Sequence, residues 1–273
     1  MQSDRILRVL FIADIIGKPG RRIVSLVLPI MKKEDKIDFV IANGENAASN
    51  GLTENIVAKL YRYGVDCITT GNHLWDRKEI IPYLDTDRRL LRPLNYPQNV
   101  PGYGYNIFEK EGVKIGVINL SGRVFIKELD CPFRTVGRIL EEIQKETRII
   151  VVDAHAEATS EKQAIGWFLD GKVSAVIGTH THVQTADERI LPGGTAYITD
   201  AGMTGPFDSV IGVKKEIAIE RFLMQIPIRL DTAVNDVRLN GVIVDIDTDT
   251  GKTLSISRLE KTAPESLRQD EQD

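Results

Sequence analysis

The stretch Val173-Ser174-Ala175-Val176-Ile177-Gly178-Thr179-His180-Thr181-His182 decides how this chain is read. Its first half is an apolar run arriving at a glycine turn, which reads as a buried strand. Its second half sets two imidazoles two residues apart just past the strand end, where both can face one small volume. The chain holds 4 histidines, and the other two stand in the same position. Cys67-Ile68-Thr69-Thr70 leads to Gly71-Asn72-His73, and Ile149-Ile150-Val151-Val152 leads to Asp153-Ala154-His155. A lone strand-end histidine is ordinarily a satisfied surface or core group. All of them in one topological position argue for a shared site.

Outward from these strands the same alternation continues. Ile6 to Ala13 is a β-branched strand with Asp14 at its exit, and Phe39 to Ala42 is a second one ending at Asn43-Gly44-Glu45-Asn46. Further strands fall at 113–120 and 196–199, the latter exiting at Asp200 and Gly202. Helical spacing runs over 21–33, 53–63 (with Thr53 as cap), 75–84, 134–145 and 160–169. Gly17-Lys18 lacks the upstream glycine and the following Ser/Thr of a phosphate-binding Walker loop. Arg92 to Tyr105 carries prolines, glycines and tyrosines without a period, an ordered loop that serves either as a flap or subunit contact or as a plain connection. Turn signals at Asn240-Gly241 and Asp249-Thr250-Gly251-Lys252 flank Val242–Val244 and Leu254–Ile256, an antiparallel pair. The class is α/β in packed layers, and ligands in such folds gather beyond the carboxyl ends of strands. Residues 1–261 show no domain boundary, and the charged tail 262–273 is expected to be disordered.

Composition bounds the function. A chain of 273 residues can bury one full core. The net charge of −4 argues against an extended nucleic-acid surface, although a metal cluster can still attract a small anion. Cys67 and Cys131 form no ribbon or CxxC spacing and read as two reduced structural thiols. The first apolar run is broken by Asp14, too early for a signal peptide or a membrane span, so a cytoplasmic protein with no membrane partner is expected.

The strand-exit set is Asp14, Glu45, Asn46, Asn72, His73, His155, His180 and His182. Carboxylate oxygens, amide oxygens and imidazole nitrogens together suit Mn, Fe or Zn, whereas a pure Mg or Ca site would not need histidines. The candidates exceed the demand of one ion, so two divalent metal ions sharing a bridging carboxylate are inferred. Two such cations bring four positive charges against the two carboxylates Asp14 and Glu45. The remainder favours an anionic substrate, as phosphate-ester hydrolysis needs. Taken alone, Asp14 could cap a helix and Asn72 could hold a left-handed turn.

Asp14, Gly44-Glu45-Asn46, Gly71-Asn72-His73, His155 and Gly178-Thr179-His180-Thr181-His182 follow the motif order of calcineurin-like metallophosphoesterases, which this chain resembles. Two departures stand out. Asp14-Ile15-Ile16 lacks the usual histidine two residues on, and Gly44-Glu45-Asn46 replaces the usual Gly-Asp. Together with Thr199-Asp200-Ala201-Gly202-Met203-Thr204-Gly205-Pro206, these resemble the YmdB-type branch from the first strand to about Leu259. The resemblance implies a four-layer α/β/β/α sandwich with a dinuclear centre, acting as a bacterial phosphodiesterase on cyclic nucleotides, 2',3'-cyclic ones first and 3',5'-cyclic ones second. It implies Mn or Fe before Zn or Mg. It also implies that Asp14, Glu45, Asn46 and His182 hold one ion, with Asn46 standing in for the missing histidine. Glu45 would bridge to a second ion held with Asn72, His155 and His180, leaving His73 as general acid.

The remaining residues read more plainly. Asp76 either orients His73 or is an exposed acid. Glu157 is a solvated acid or a partner behind a ligand, and Asp200 and Asp208 are structural. Arg123 either meets a phosphate or is a surface arginine, and Trp75 and Trp167 belong to the core. A phosphomonoesterase with the same metals is the nearest rival function. A nucleotide-binding regulator is the rival from another class, against which a spare acid at His73 argues. A homo-oligomer is allowed for.

Overall fold

The structure, a computed structural model, describes residues 6–264. In chain order the first part comprises β1 (Ile6–Ile12), β2 (Asp14–Ile15), α1 (Gly17–Glu34), β3 (Phe39–Asn43), α2 (Glu54–Tyr63), β4 (Cys67–Thr69), α3 (Ile81–Leu84) and β5 (Leu90–Leu91). The middle part runs through β6 (Tyr105–Lys110), β7 (Val113–Ser121), α4 (Pro132–Glu146), β8 (Ile150–His155), α5 (Thr159–Leu169) and β9 (Ala175–Thr179). The last part adds β10 (Arg189–Ile190), β11 (Ala196–Ile198), β12 (Met203–Pro206), α6 (Lys215–Met224), β13 (Val237–Asp247) and β14 (Thr253–Thr262).

These strands form two sheets. One has the order β2-β12-β13-β1-β3-β4-β5 with β14 on β13, and the other the order β10-β11-β9-β8-β7-β6. β1, β3, β4 and β5 are parallel neighbours, as are β7, β8, β9 and β11. Successive residues of β1 feed different layers, because side chains alternate across a strand. Leu10 and Ile12 pack with Val24, Leu28, Val57 and Leu60 of α1 and α2. Val9 and Phe11 pack instead with Val117, Val151 and Ile177 of the facing sheet. Beyond that sheet, Ile118, Leu120, Ile150 and Val152 meet Val136, Leu140, Ile165 and Leu169 of α4 and α5. The result is the four-layer α/β/β/α sandwich expected. It explains why these strands are apolar on both faces.

Thr53 caps α2, its hydroxyl accepting from the Ile56 amide at 3.3 Å. The helix expected over 75–84 is broken into 3₁₀ turns at Leu74–Asp76 and Lys78–Ile80 before α3. Arg77 takes extended backbone there (φ −112°, ψ 95°), and its guanidinium reaches the Asn50 and Ala48 carbonyls, both at 3.2 Å. Residues 92–105 connect the two sheets. The buried Arg92 guanidinium holds this connection by donating to the carbonyls of Pro93, Val100 and Pro101. The C-terminal hairpin is longer than its turn signals suggested, spanning the whole of β13 and β14. Thr262 lies in β14, whereas residues 265–273 of the expected disordered tail lie outside the described residues.

Trp75 packs against the core as expected, edge-on to Tyr96. Trp167 does not: it is 54% exposed. α5 buries Lys162, Ile165, Gly166 and Leu169, and Gly166 rests against the Tyr197 ring. Residue 167 therefore points away from the sheet. Both cysteines are free thiols.

Candidate metal centre

The carboxyl ends of β3 and β4 in one sheet meet those of β8 and β9 in the other. This brings the strand-exit residues together. His155 Nε2 is the focus. Glu45 Oε1 lies 3.1 Å from it, Asn72 Oδ1 3.1 Å and His180 Nδ1 3.0 Å. Among the described residues, Glu45, His155 and His180 each offer a ligand atom within 4.8 Å of the others, close enough to share one cation. Hydrogen-bond bookkeeping assigns the nitrogens. His180 Nε2 donates to Glu157 Oε2 at 3.1 Å, so its Nδ1 carries a lone pair. Thr179 Oγ1 donates to Asp153 Oδ1 at 2.7 Å and so accepts from His155 Nδ1 at 2.9 Å. A neutral His155 then turns a bare Nε2 toward three further acceptors. Once the His155 proton is displaced, four acceptors converge on one small volume, which describes a cation site.

Gly71 makes this convergence feasible. A Cβ there would fall 2.2 Å from His155 Nε2 and 2.4 Å from Glu45 Oε2.

The second cluster is looser. Asp14 Oδ1 is buried with no hydrogen-bond partner and stands 3.9 Å from His182 Nε2. His182 Nδ1 donates to the Ile211 carbonyl at 3.0 Å, which leaves Nε2 bare. Asn46 Nδ2 lies 3.3 Å from His182 Nε2 and 3.2 Å from Glu45 Oε1. Its side chain thus sits in the cluster with the amide nitrogen inward; a half-turn of the amide brings the oxygen there instead. Glu45 Oε1 faces both clusters, as a bridging group would. The orphaned Asp14 oxygen and the two bare imidazole nitrogens fit divalent cations.

Electrostatics carry the same signature. Burial raises the Asp14 carboxyl to about 7, against the pull of His182 and His155. Burial also works on Glu45, but the His155 and His73 contacts overcome it and hold the carboxyl at about 2. For His155, burial is outweighed by Glu45 and the other carboxylates, which raise it to about 9. Burial and the neighbouring His155 lower His180 to about 3.

His73 stands at the edge of the centre. Its amide donates to Glu45 Oε2 at 3.1 Å, and its Nδ1 pairs with Asp76 Oδ2 at 2.9 Å. Nε2 remains available to a substrate.

Several supporting residues escaped the sequence reading. Asp153 accepts from Asn43 Nδ2 (3.0 Å) and Thr69 Oγ1 (2.5 Å) as well as from Thr179, and it joins four strands behind His155. The available signal was polar side chains inside apolar strands. His180 and His182 both adopt positive φ, 101° and 63°. Thr181 between them is pinned by its amide and hydroxyl to Asp200 Oδ2, at 3.0 and 2.6 Å. Asp200 is in turn paired with Lys162 at 2.6 Å, both fully buried. Asp200 is therefore structural, as expected, and so is Asp208, paired with Lys215 at the surface.

The sequence pattern of the YmdB-like protein family matches residues 10–259. A 2',3'-cyclic-nucleotide 2'-phosphodiesterase of Bacillus subtilis is 50% identical over 254 residues, covering 93% of this chain and 96% of that protein. A hypothetical protein from Thermus thermophilus superimposes with a TM-score of 0.89 at 42% identity, over 94% of this chain and all of that one. A novel phosphatase from Mycoplasma pneumoniae gives the same TM-score at 35% identity, over 95% and 94%. No described helix is long and apolar enough to cross a membrane. With a family pattern spanning nearly the whole sequence and a fold shared end to end with these relatives, the chain belongs to the YmdB-like family of metallophosphoesterases.

Proposed function

We propose that the phosphodiesterase formed by this chain opens 2',3'-cyclic nucleotides at the 2'-oxygen, leaving nucleoside 3'-phosphates. The observation that carries this reading is the convergence of Glu45, Asn72 and His180 on His155 Nε2, with His73 beside it. The activity named for the 50%-identical Bacillus relative supports the substrate. Asp14, Asn46 and His182 would hold one divalent ion, Asn72, His155 and His180 a second, and Glu45 would serve both. Manganese or iron suits this donor set best, ahead of zinc or magnesium. Bound there, the ions supply Lewis acidity and bring the pKa of water toward neutrality.

The rest is the work of side chains. Water delivers its oxygen to phosphorus and gives up a proton to solvent, from which His73 is later reprotonated, and the bond from phosphorus to the 2'-oxygen breaks. That oxygen would leave as an alkoxide unless protonated, and His73 Nε2 donates the proton. Asp76 fixes the ring by holding Nδ1. Residues 1–261 act as one catalytic unit in the bacterial cytoplasm. The exposed Phe222, Leu223 and Met224 at the end of α6 support a homo-oligomer.

The test is His73→Asn. It should retain its metal by elemental analysis and lose turnover of 2',3'-cyclic AMP by about 10²–10⁴-fold. Bis-p-nitrophenyl phosphate, whose leaving group needs no proton, should suffer far less. Equal losses on the two would remove the acid role. Wild-type turnover confined to monoesters would establish the phosphatase reading instead, and turnover of 3',5'-cyclic AMP alone would reassign the ring that is opened.

A further inference from the structure

The loop after β7 begins beside the metal centre, and the reaction above leaves its side chains unused. Ser121 is in register with His155, and the Gly122 amide donates to the His155 carbonyl at 2.9 Å. The next two amides, of Arg123 and Val124, donate to the buried Glu161 carboxylate at 3.0 and 3.2 Å. Gly122 is required for this clamp, since a Cβ would fall 2.5 Å from Glu161 Oε2 and 2.5 Å from Ala156 Cβ. The root of the loop is therefore fixed one strand away from a metal-ligand candidate, about 4.8 Å across the sheet.

What the clamp presents is unusual for a surface. Phe125 is 87% exposed and holds a left-handed backbone, φ 61°. A bulky residue in that region is a strained choice, and its ring gains nothing from water. Arg123 is exposed, and its guanidinium has no hydrogen bond or ion pair among the described residues. The two positions lie two residues apart, a span of at most about 7 Å. That is the scale of the ribose separating a cyclic phosphate from its base.

Resting on the proposed function, we infer that Arg123 and Phe125 recognise the substrate on either side of its ribose, Arg123 at the cyclic phosphate and Phe125 at the base. The Arg123 guanidinium pairs with the non-bridging phosphate oxygens, for which its planar fork is suited. The Phe125 ring stacks on the base. Stacking of this kind accepts any base but favours the larger purines, so this loop sets base preference while the metal centre does the chemistry.

The experiment compares 2',3'-cyclic AMP with glycerol 1,2-cyclic phosphate, which has the ring but no base. F125A should raise KM for cyclic AMP about tenfold, shift KM for the glycerol ester less than twofold, and shrink the preference for purines over pyrimidines. F125W should restore KM, and its added fluorescence should be quenched by adenosine 3'-monophosphate. R123A should raise KM for both esters, with R123K recovering part of it. An F125A enzyme whose KM ratio between the two esters matches wild type, or an F125W protein blind to the nucleotide, overturns the inference. Should wild type fail to open cyclic AMP, the proposed function falls, and the fluorescence titration still decides whether the loop binds a nucleotide.

Discussion

The two halves of the candidate centre are built differently. Around His155 Nε2 three acceptors stand at 3.0–3.1 Å, backed by Thr179 and a buried Asp153 that ties four strands together. Around Asp14 the nearest imidazole nitrogen is 3.9 Å away, one carboxylate oxygen has no partner, and the Asn46 amide is turned nitrogen-inward. The compact cluster is anchored through His155, which lies inside β8 and is held from behind by Thr179 and Asp153. In the loose one Asp14 sits in the short β2, while His182 is placed by a left-handed backbone and the Ile211 carbonyl. A preorganised site spends less of its binding free energy on ordering ligands. The compact cluster should accordingly take its ion first and release it last.

The most drastic way to break the contrast is to remove the group common to both clusters. Glu45→Gln should lose both ions and reduce diester turnover well beyond the roughly 100-fold typical of an outer-shell change. Metal analysis would show neither cluster filled. His155→Ala and Asp14→Ala separate the halves. Each should retain one ion per chain, and the ion remaining in Asp14→Ala should be the more tightly bound.

Next in size is Lys162→Met. It strands Asp200 as a buried charge behind the His180–His182 turn, and breaking such a pair costs about 3–5 kcal/mol. Thermal unfolding would measure this loss. A Lys162→Met protein as stable as wild type would show that the turn is held by something else.

Thr179→Val acts only on the compact side. It removes the acceptor for His155 Nδ1 and the donor to Asp153, and should weaken that ion by about 10–100-fold with little change at Asp14. Equal weakening of both ions would erase the distinction between the clusters.

The smallest effect is a graded one. Without metal, His155 holds its proton up to about pH 9 and Asp14 up to about pH 7. Both protons must leave when ions bind. Affinity should therefore rise with pH and fall as pH drops, about tenfold per unit for each proton displaced. Calorimetry at pH 7 in buffers of different ionisation enthalpy should find between one and two protons released. Titrations that release none would mean the ions bind elsewhere.

Much of this was legible in the chain itself. Each buried strand announced its end by a polar residue after an apolar run. Asp14, Glu45, Asn46, Asn72, His73, His155, His180 and His182 were singled out as candidates by that position. Local sequence determines where a strand stops, because the loss of apolar alternation and the arrival of Gly, Asn or Asp are local events. It also determined the α/β class and the cap at Thr53.

Which exits face one another was decided only by tertiary structure. β3 and β8 lie in different sheets and far apart in sequence, yet they bring Asn43 within 3.0 Å of Asp153. The same non-local pairing set Thr179 behind His155, Lys162 under Asp200 and the Ile211 carbonyl against His182. It turned Trp167 outward, and it placed β6 and α6, whose own sequences carry weak signals. The physical reason is that a buried polar group or ion pair is stable only when its partner is present, and the partner is supplied by another strand or helix. The sequence names the donors and acceptors, but the packing of two sheets face to face chooses the pairs.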